Sequence, residues 1–418
     1  MYESFLNEFD YDIRKSGDAR WIDQKCTYDV LSIIADCICE YIDSTGSSEF
    51  TVSDIWHSEY ARDNVVAIFS KPDPALKAGN EYDKYFGQPI KLLGYSKVLN
   101  VRSEKNRYYY SINNRVILDK IALRPMNALN FLYEYISKVL IDSGLIDSFN
   151  DFFRKQNNDS YKELRERFIH FTITNTKING ETECGRIFTK VLNPLAFKLR
   201  KLGTEKGRIS KCSITLNDLQ YNRLNWRDEL SGKDKTVTRV EHEPTVAQLQ
   251  ARAFRSYTIN KAKKAIRKYN QLQKGGVSEV CQSSETVKAT QAHHIFTQSE
   301  YPQIADYVEN LIMLTPNQHY SMAHPDNNTQ YIDRDFQYIC LLSKSNNIYL
   351  DLISEDPNKF YDFENYKYVL NTGFSTNEFS SINFLDFASL VDKIDYFYSD
   401  EIKDNKYNFL MEENDRIF

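Results

Sequence analysis

The feature that most constrains the fold is a histidine-rich segment, because four of the seven histidines lie in the 32 residues from His293 to His324. Residues 288–295 can form a strand that contains the pair His293-His294, and residues 310–314 (NLIML) form a second short apolar run. The pattern predicts two short strands joined by a loop that contains Pro302.

A helix is predicted directly after the second strand. Thr315 is a good N-cap, Pro316 occupies the first helical position, and Gln318 completes a capping box. Pro325 forces the helix to end near His324. The segment is therefore predicted to fold as strand, loop, strand and helix, with imidazoles on the first strand and on the helix.

Histidines placed in this way can carry metal or acid–base chemistry. A neutral imidazole is a good ligand for a divalent metal, and it is also a base that titrates near neutral pH. Neighbouring side chains on a strand point to opposite faces, so His293 and His294 can hold different roles, one on a metal and one on a water molecule. The alternative is a set of core or surface histidines without a metal.

The segment resembles the HNH, or ββα-metal, nucleases, and among them the colicin-type DNases. The family pattern is an acidic residue or histidine followed by histidine, then an asparagine, then histidine or asparagine nine positions later on a helix. This chain has His293-His294, Asn310, and His319 nine residues after Asn310. The histidine pair and the Thr-Pro helix start are also shared with the colicin-type enzymes.

The resemblance implies a role for each of these residues. His293 and His319 would bind a divalent metal, and His294 would be the general base that activates water. Asn310 would brace the loop and orient His294 by hydrogen bonding. His324 lies five residues after His319, about 140° away on a regular α-helix, so it would need a distorted helix end to be a third ligand. Contact with the scissile phosphate is the alternative role for His324.

The implied cofactor is a divalent metal ion. Magnesium is the first expectation, with manganese or zinc as alternatives. Many relatives have aspartate at the position of His293, and a histidine there lowers the charge of the ligand set and leaves the identity of the metal open.

Residues 1–125 show the element order of a winged helix. Helix, short helix, helix and hairpin are predicted in that order at 27–46, 51–56, 80–94, and 98–103 with 107–112. Pro89 is expected to interrupt or restart the third helix. In a winged helix the third helix enters a DNA groove and the hairpin contacts the backbone, which suits Arg102, Lys105 and Arg107.

The charge of the chain is distributed unevenly. The net charge is −5, but residues 186–275 hold 21 lysines and arginines against 7 acidic residues, whereas residues 351–418 hold 6 against 15. A basic middle beside an acidic end is typical of a protein that binds a polyanion, although a solvated helical face gives the same pattern. We expect contacts to double-stranded DNA from basic residues of this region: Lys206, Arg208, Lys261, Lys263, Lys264 and Arg267.

The length of 418 residues predicts a multidomain α+β protein. The expected segments are a winged-helix-like domain, a helical and basic DNA-contacting region, an HNH nuclease module and an acidic C-terminal region: 1–125, 126–240, 241–348 and 349–418. Helices are predicted in the second segment over 127–145 and 152–172, and a basic helix over 251–271. No membrane-spanning run or secretory signal is visible, so a cytoplasmic protein without a membrane partner is expected.

A wider resemblance links the chain to bacterial type II restriction endonucleases. It rests on the opening ARWIDQKCTYDVLSIIADC, the stretches KGRISK and YNRLNWRD, and the HNH segment together. It implies a site-specific DNA endonuclease that cuts both strands, and cleavage of a palindrome favours a two-fold homodimer. The alternatives are a non-specific or phage-defence HNH nuclease, and a non-enzymatic winged-helix regulator with an inactive HNH remnant.

Overall fold

The protein is mostly helical with short strands, an α+β chain as predicted. The computed structural model describes residues 1–69, 80–221, 239–280, 287–324, 331–399 and 405–410. The chain divides into two compact units, Met1–Ala253 and Phe254–Phe418. The finer division into four segments stays a prediction. No helix in the described ranges combines the length and the apolar character that a membrane crossing requires.

The first unit begins with six helices, and the last three of them pack against the third, α3. In chain order these are α1 (Tyr2–Leu6), α2 (Ile13–Ser16), α3 (Tyr28–Thr45), α4 (Val52–Trp56), α5 (Glu59–Phe69) and α6 (Asn80–Tyr95). The prediction for α3 is confirmed, with Thr27 before it and Gly46 after it in a left-handed conformation (φ 68°). The predicted interruption at Pro89 is wrong. Helix α6 runs through it, because buried Phe86, Ile90 and Leu93 hold the helix in the core on both sides of the proline.

A two-stranded hairpin follows α6. Strands β1 (Leu99–Glu104) and β2 (Arg107–Ile112) pair in antiparallel register from Leu99 with Ile112 to Glu104 with Arg107. The turn has two residues, Lys105 and Asn106, both with positive φ, and not the three that were expected. Phe50, between α3 and α4, adds a bridge to Tyr110 of β2 through two backbone hydrogen bonds of 2.9 and 2.8 Å.

Further helices and a second hairpin follow in the first unit. They are α7 (Arg115–Leu123), α8 (Pro125–Asp142), α9 (Ile146–Lys155), α10 (Asn158–Asn175), α11 (Glu181–Lys198), β3 (Leu202–Glu205), β4 (Arg208–Ser213) and α12 (Leu216–Leu219). The predicted helix over 127–145 is confirmed as α8. The predicted helix over 152–172 is two helices, because Gln156 takes a left-handed conformation (φ 49°) and Asn157 caps α10. The stretch 222–228 of the YNRLNWRD motif lies outside the described residues.

The second unit surrounds a short hairpin with helices. Its described elements are the C-terminal part of α13 (Arg239–Lys274), β5 (Gln291–His294), β6 (Leu311–Leu314), a π-helix (Gln318–Ala323), α14 (Arg334–Ile353), α15 (Phe363–Gly373) and α16 (Phe387–Phe397), with 3₁₀ turns at Pro302–Ile304, Val308–Asn310, Glu378–Ser381 and Asn408–Leu410. The basic helix begins at Arg239, earlier than the predicted 251, and it ends before Gly275 and Gly276, which both have positive φ. The order strand, loop, strand, helix after α13 is that predicted from the histidine-rich segment.

Candidate metal centre

Three histidines from separate elements converge in the second unit. His293 lies on β5, His319 in the first turn of the π-helix, and His324 directly after it. One nitrogen from each ring lies within 4.8 Å of the other two. The ring centroids are 5.3 Å apart for His293 and His319, and 4.9 Å apart for each pair that includes His324. This group, called here the histidine centre, has the spacing of ligands around one metal ion.

The π-helix explains how His324 joins the centre. Thr315 accepts a hydrogen bond from the Gln318 N–H, and the Gln318 side chain accepts one from the Thr315 N–H, so the predicted capping box is present. Beyond this cap the backbone follows the i→i+5 pattern, which places residues five apart on one face. The π-helix ends at Ala323, and His324 follows it with a non-helical backbone (φ −125°, ψ 82°), with its ring centroid 4.9 Å from that of His319. The 140° separation expected on a regular α-helix therefore does not apply, and the distorted helix end that a third ligand needs is present.

A backbone carbonyl fixes the ring of His324, and nitrogens of His324 and His319 are available to bind a metal. His324 Nδ1 donates a hydrogen bond to the Tyr331 carbonyl at 2.8 Å, and this tautomer leaves Nε2 as the nitrogen that can bind a metal. His319 Nδ1 is buried and has no hydrogen-bond partner among the described residues. A buried polar nitrogen without a partner is costly, and a bound metal ion would satisfy it. The donor set therefore fits a divalent metal.

Burial keeps the rings of His293 and His319 neutral. Burial first, and then the neighbouring imidazoles, hold the pKa of His293 well below its usual value of 6.5. Burial, His324 and Lys263 lower the pKa of His319 to about 4. Neutral imidazole is the form that binds a metal, so His293 and His319 are in the metal-binding form at neutral pH.

His294 points to a different environment from its neighbour on β5. Its Nε2 lies 2.9 Å from the Ala305 carbonyl oxygen, which can only accept a hydrogen bond, so Nε2 carries the proton and Nδ1 is left to act as a base. Burial and nearby Lys263 lower the pKa of His294 to about 4, against the opposing effect of the Ala305 hydrogen bond. The ring is therefore neutral at pH 7 and able to take a proton.

Asn310 holds the loop that carries the Ala305 carbonyl. Its side-chain oxygen accepts from the Phe296 N–H at 2.9 Å, and its amide donates to the carbonyls of Phe296 and Ile304 at 3.0 and 3.2 Å. The direct hydrogen bond to His294 that was expected is replaced by this indirect route. Asn310 fixes the backbone beside Ala305, and Ala305 in turn orients His294.

A buried ion pair behind β6 was not visible in the sequence. Lys344 is fully buried and donates to Glu279 Oε2 at 2.7 Å and to the Tyr361 hydroxyl at 2.9 Å. Glu279 also accepts from the Met313 N–H at 2.7 Å and donates its own N–H to the Met313 carbonyl at 2.9 Å, so the pair anchors β6. The two residues lie 65 positions apart, and no local pattern connects them.

The predicted DNA-contacting residues occupy different environments. On α13, Lys263 is half-buried beside the histidine centre, and burial and Arg267 lower its pKa, whereas Lys264 and Arg267 are exposed. Lys261 is half-buried. In the first unit, Lys206 and Arg208 are exposed on the hairpin β3–β4: Lys206 in its turn and Arg208 at the start of β4. Their contacts with DNA stay predictions.

Comparison of the chain with protein-family models, curated proteins and solved structures gives no match. The likeness to HNH nucleases therefore rests on the motif residues and on their arrangement.

Proposed function

We propose that the protein is a metal-dependent DNA endonuclease of the HNH type. The observation that supports this most is the convergence of His293, His319 and His324 beside a separately oriented His294, on a strand–loop–strand–helix segment. Core histidines without a function would not need to face one another in this way, because the arrangement leaves His319 Nδ1 buried without a partner among the described residues.

The side chains divide the reaction between them. His293, His319 and His324 would hold the metal ion, and the ion when bound would stabilise negative charge on the phosphate and on the leaving oxygen. His294 takes a proton from water at Nδ1, because Nε2 is committed to Ala305, and the water attacks phosphorus. The bond between phosphorus and the 3′ oxygen breaks, and the 3′ oxygen takes a proton from solvent, which gives 5′-phosphate and 3′-hydroxyl products. Asn310 keeps the His294 ring in place through the loop.

The donor set changes the preferred metal. Magnesium favours oxygen ligands, whereas imidazole suits zinc, nickel, copper and iron. Three imidazoles, with no carboxylate in the described cluster, favour a transition ion over the magnesium first expected from the sequence.

The first unit supports a DNA substrate. Its order of α3, α4, α6 and the β1–β2 hairpin, with Phe50 bridged to Tyr110, is that of a winged helix with α5 inserted. We assign this part to DNA binding and the second unit to cleavage. A type II restriction enzyme acting as a homodimer is the form that the wider sequence resemblance favours. A regulator with an inactive HNH remnant is the competing function that the same winged-helix order favours.

A plasmid assay tests the proposal. Purified full-length protein is stripped of metal with EDTA and incubated with a sequenced plasmid and Zn²⁺, Ni²⁺, Mn²⁺ or Mg²⁺. We expect cleavage only after metal is added, and discrete bands if the enzyme is site-specific or a smear if it is not. DNA binding without cleavage under every metal condition would favour the regulator and refute the enzyme.

A further inference from the structure

The first unit contains a large polar cleft that the nuclease chemistry does not use. Its volume is about 1210 Å³. It is lined by five parts of the first unit: the loop Arg20–Lys25, the start of α4, one face of α6, residues 106–110 of the β1–β2 hairpin, and the first turns of α11. The loop belongs to the ARWIDQK stretch at the beginning of the chain, for which the histidine centre gives no role.

Several cations in this cleft are available to a ligand. Lys84, Arg107 and Arg186 are exposed and make no ion pair with any described residue. Lys91 lies over the Tyr108 ring, 5.8 Å from its centroid, and this leaves its charge in solvent. Cations from two helices and a hairpin therefore face one cleft without carboxylate partners in the described part of the chain, an arrangement that suits a polyanion.

Most of the acidic side chains in the cleft already form ion pairs or hydrogen bonds within the protein. Asp23 and Glu183 both bind Arg20, and Asp54 accepts hydrogen bonds from the backbone and hydroxyl of Thr51 in the cap of α4. Asp83 is exposed on α6 and makes no ion pair among the described residues. The charge offered to a ligand is therefore mainly positive.

Two amides in the cleft can recognise bases. Gln88 Oε1 accepts a hydrogen bond from the Lys25 N–H at 2.8 Å, which fixes this amide and leaves its NH₂ group as a donor. The side chain of Gln24 makes no hydrogen bond to a described residue. Amide side chains form paired hydrogen bonds with adenine, and phosphate contacts alone cannot distinguish bases.

We propose that this cleft, called here the reading cleft, binds duplex DNA and recognises its sequence. Lys84, Lys91, Arg107 and Arg186 hold backbone phosphates, and Gln24 and Gln88 contact base edges. The proposal rests on the proposed nuclease function for its substrate and adds the site that selects the sequence. Part of the recognition comes from a loop that precedes the winged-helix elements.

Two variants separate the two kinds of contact, each in a full-length His294→Ala background so that the duplex stays intact. Lys84→Ala/Arg107→Ala removes phosphate contacts, and Gln24→Ala removes a base contact without breaking an internal hydrogen bond. Lys162→Ala/Arg167→Ala is the matched control, because it removes one exposed lysine and one exposed arginine from α10 in the same unit. Fluorescence anisotropy measures affinity for a duplex with the cleaved sequence and for a scrambled duplex over a range of salt.

We expect the phosphate variant to weaken binding to both duplexes about equally. It should also flatten the plot of log affinity against log salt by about 0.9 for each lost contact. Gln24→Ala should weaken binding to the cleaved sequence by about 5- to 150-fold and leave the scrambled duplex unaffected. The control should bind like the parent.

Failure of this inference can be distinguished from failure of the proposed function. Parent-like affinity and salt slope in the phosphate variant, in a protein that cleaves plasmid, would overturn the cleft and leave the nuclease standing. A protein without sequence discrimination, or a Gln24→Ala variant that discriminates like the parent, would overturn base recognition. A protein that binds DNA through the cleft but never cleaves it would overturn the nuclease alone.

Discussion

The reading cleft and the histidine centre both contain clustered polar side chains, but those of the cleft are solvent-exposed and charged, whereas those of the centre are mainly buried. In the cleft, Lys84 and Arg107 are exposed and charged, and neither makes an ion pair with a residue that the structure describes. In the histidine centre, His293 and His324 are buried, with 3% and 4% of their surface exposed. Backbone carbonyls fix the ring of His324 and that of His294, which lies next to His293 on β5. A surface that binds a polymer can remain solvated, whereas a catalytic group must be held in one orientation and one protonation state. Substitutions should therefore change binding in the first region, and chemistry or stability in the second.

The largest effect is expected from His294→Ala. This change should lower the cleavage rate by about 10²- to 10⁴-fold, the usual cost of losing a general base, while affinities for DNA and metal stay close to those of the parent. Single-turnover cleavage, anisotropy and calorimetry measure the three quantities. His170→Ala, an exposed histidine on α10, is the control. Cleavage at the parent rate by His294→Ala would show that His294 is not the general base. Loss of DNA binding in this variant would contradict the assignment of binding and chemistry to separate regions.

The next largest effect is expected on stability, where loss of a buried ion pair can be compared with loss of exposed ones. Lys344→Met should lower the free energy of unfolding of the second unit by about 3–5 kcal/mol, because it leaves Glu279 buried without its cation. Arg102→Ala breaks exposed pairs with Glu49 and Glu104 in the first unit and should change stability little. Urea denaturation, followed by probes in each unit, gives both values.

The double variant Lys344→Met/Glu279→Gln supplies the control for this pair. It removes both charges, so we expect part of the lost stability to return. A Lys344→Met protein as stable as the parent would show that the pair does not anchor β6.

A smaller effect on stability is expected when the hydrogen-bonded amide of Asn310 is removed, and it can be compared with removal of the Gln24 amide. Asn310→Ala removes the side-chain partner of the Phe296 N–H and of the Phe296 carbonyl, and it should cost about 1–3 kcal/mol. The Ile304 carbonyl loses one of two hydrogen bonds and keeps that from the Tyr307 N–H. The substitution should also slow cleavage, because the Ala305 carbonyl no longer holds His294. Gln24→Ala, which breaks no internal hydrogen bond, should leave the melting temperature unchanged. Equal melting temperatures for the two variants would contradict the role of Asn310 as a brace.

Local patterns in the sequence were sufficient for part of this structure. The capping box at Thr315 and Gln318 was predictable because its partners are three residues apart, and the histidine pair and Asn310 followed from the motif spacing. The helix over 27–46 was predictable because its apolar residues recur at helical spacing and a glycine ends it.

Other features depend on contacts between distant residues. The π-helix lies where the Ala323 carbonyl accepts from the Asp333 N–H and His324 binds Tyr331, and helical periodicity contains no signal for such contacts. The continuity of α6 through Pro89 likewise depends on burial. The reading cleft joins the loop Arg20–Lys25 to α6 and to a hairpin about 80 residues later, so the composition of ARWIDQK alone could not indicate it.

The most direct test of the central claim is a calorimetric titration of the metal-free, full-length chain with Zn²⁺ or Ni²⁺. It is repeated with His293→Ala, His319→Ala and His324→Ala, and with His170→Ala as the control. The account predicts one ion per chain in the parent and the control. Loss of a residue that hydrogen-bonds to a metal ligand lowers metal affinity by roughly 10- to 100-fold. We expect each ligand variant to lose at least this much affinity for the metal, because it removes the ligand itself. No stoichiometric binding by the parent, or parent-like affinity in all three ligand variants, would contradict a metal site at the histidine centre.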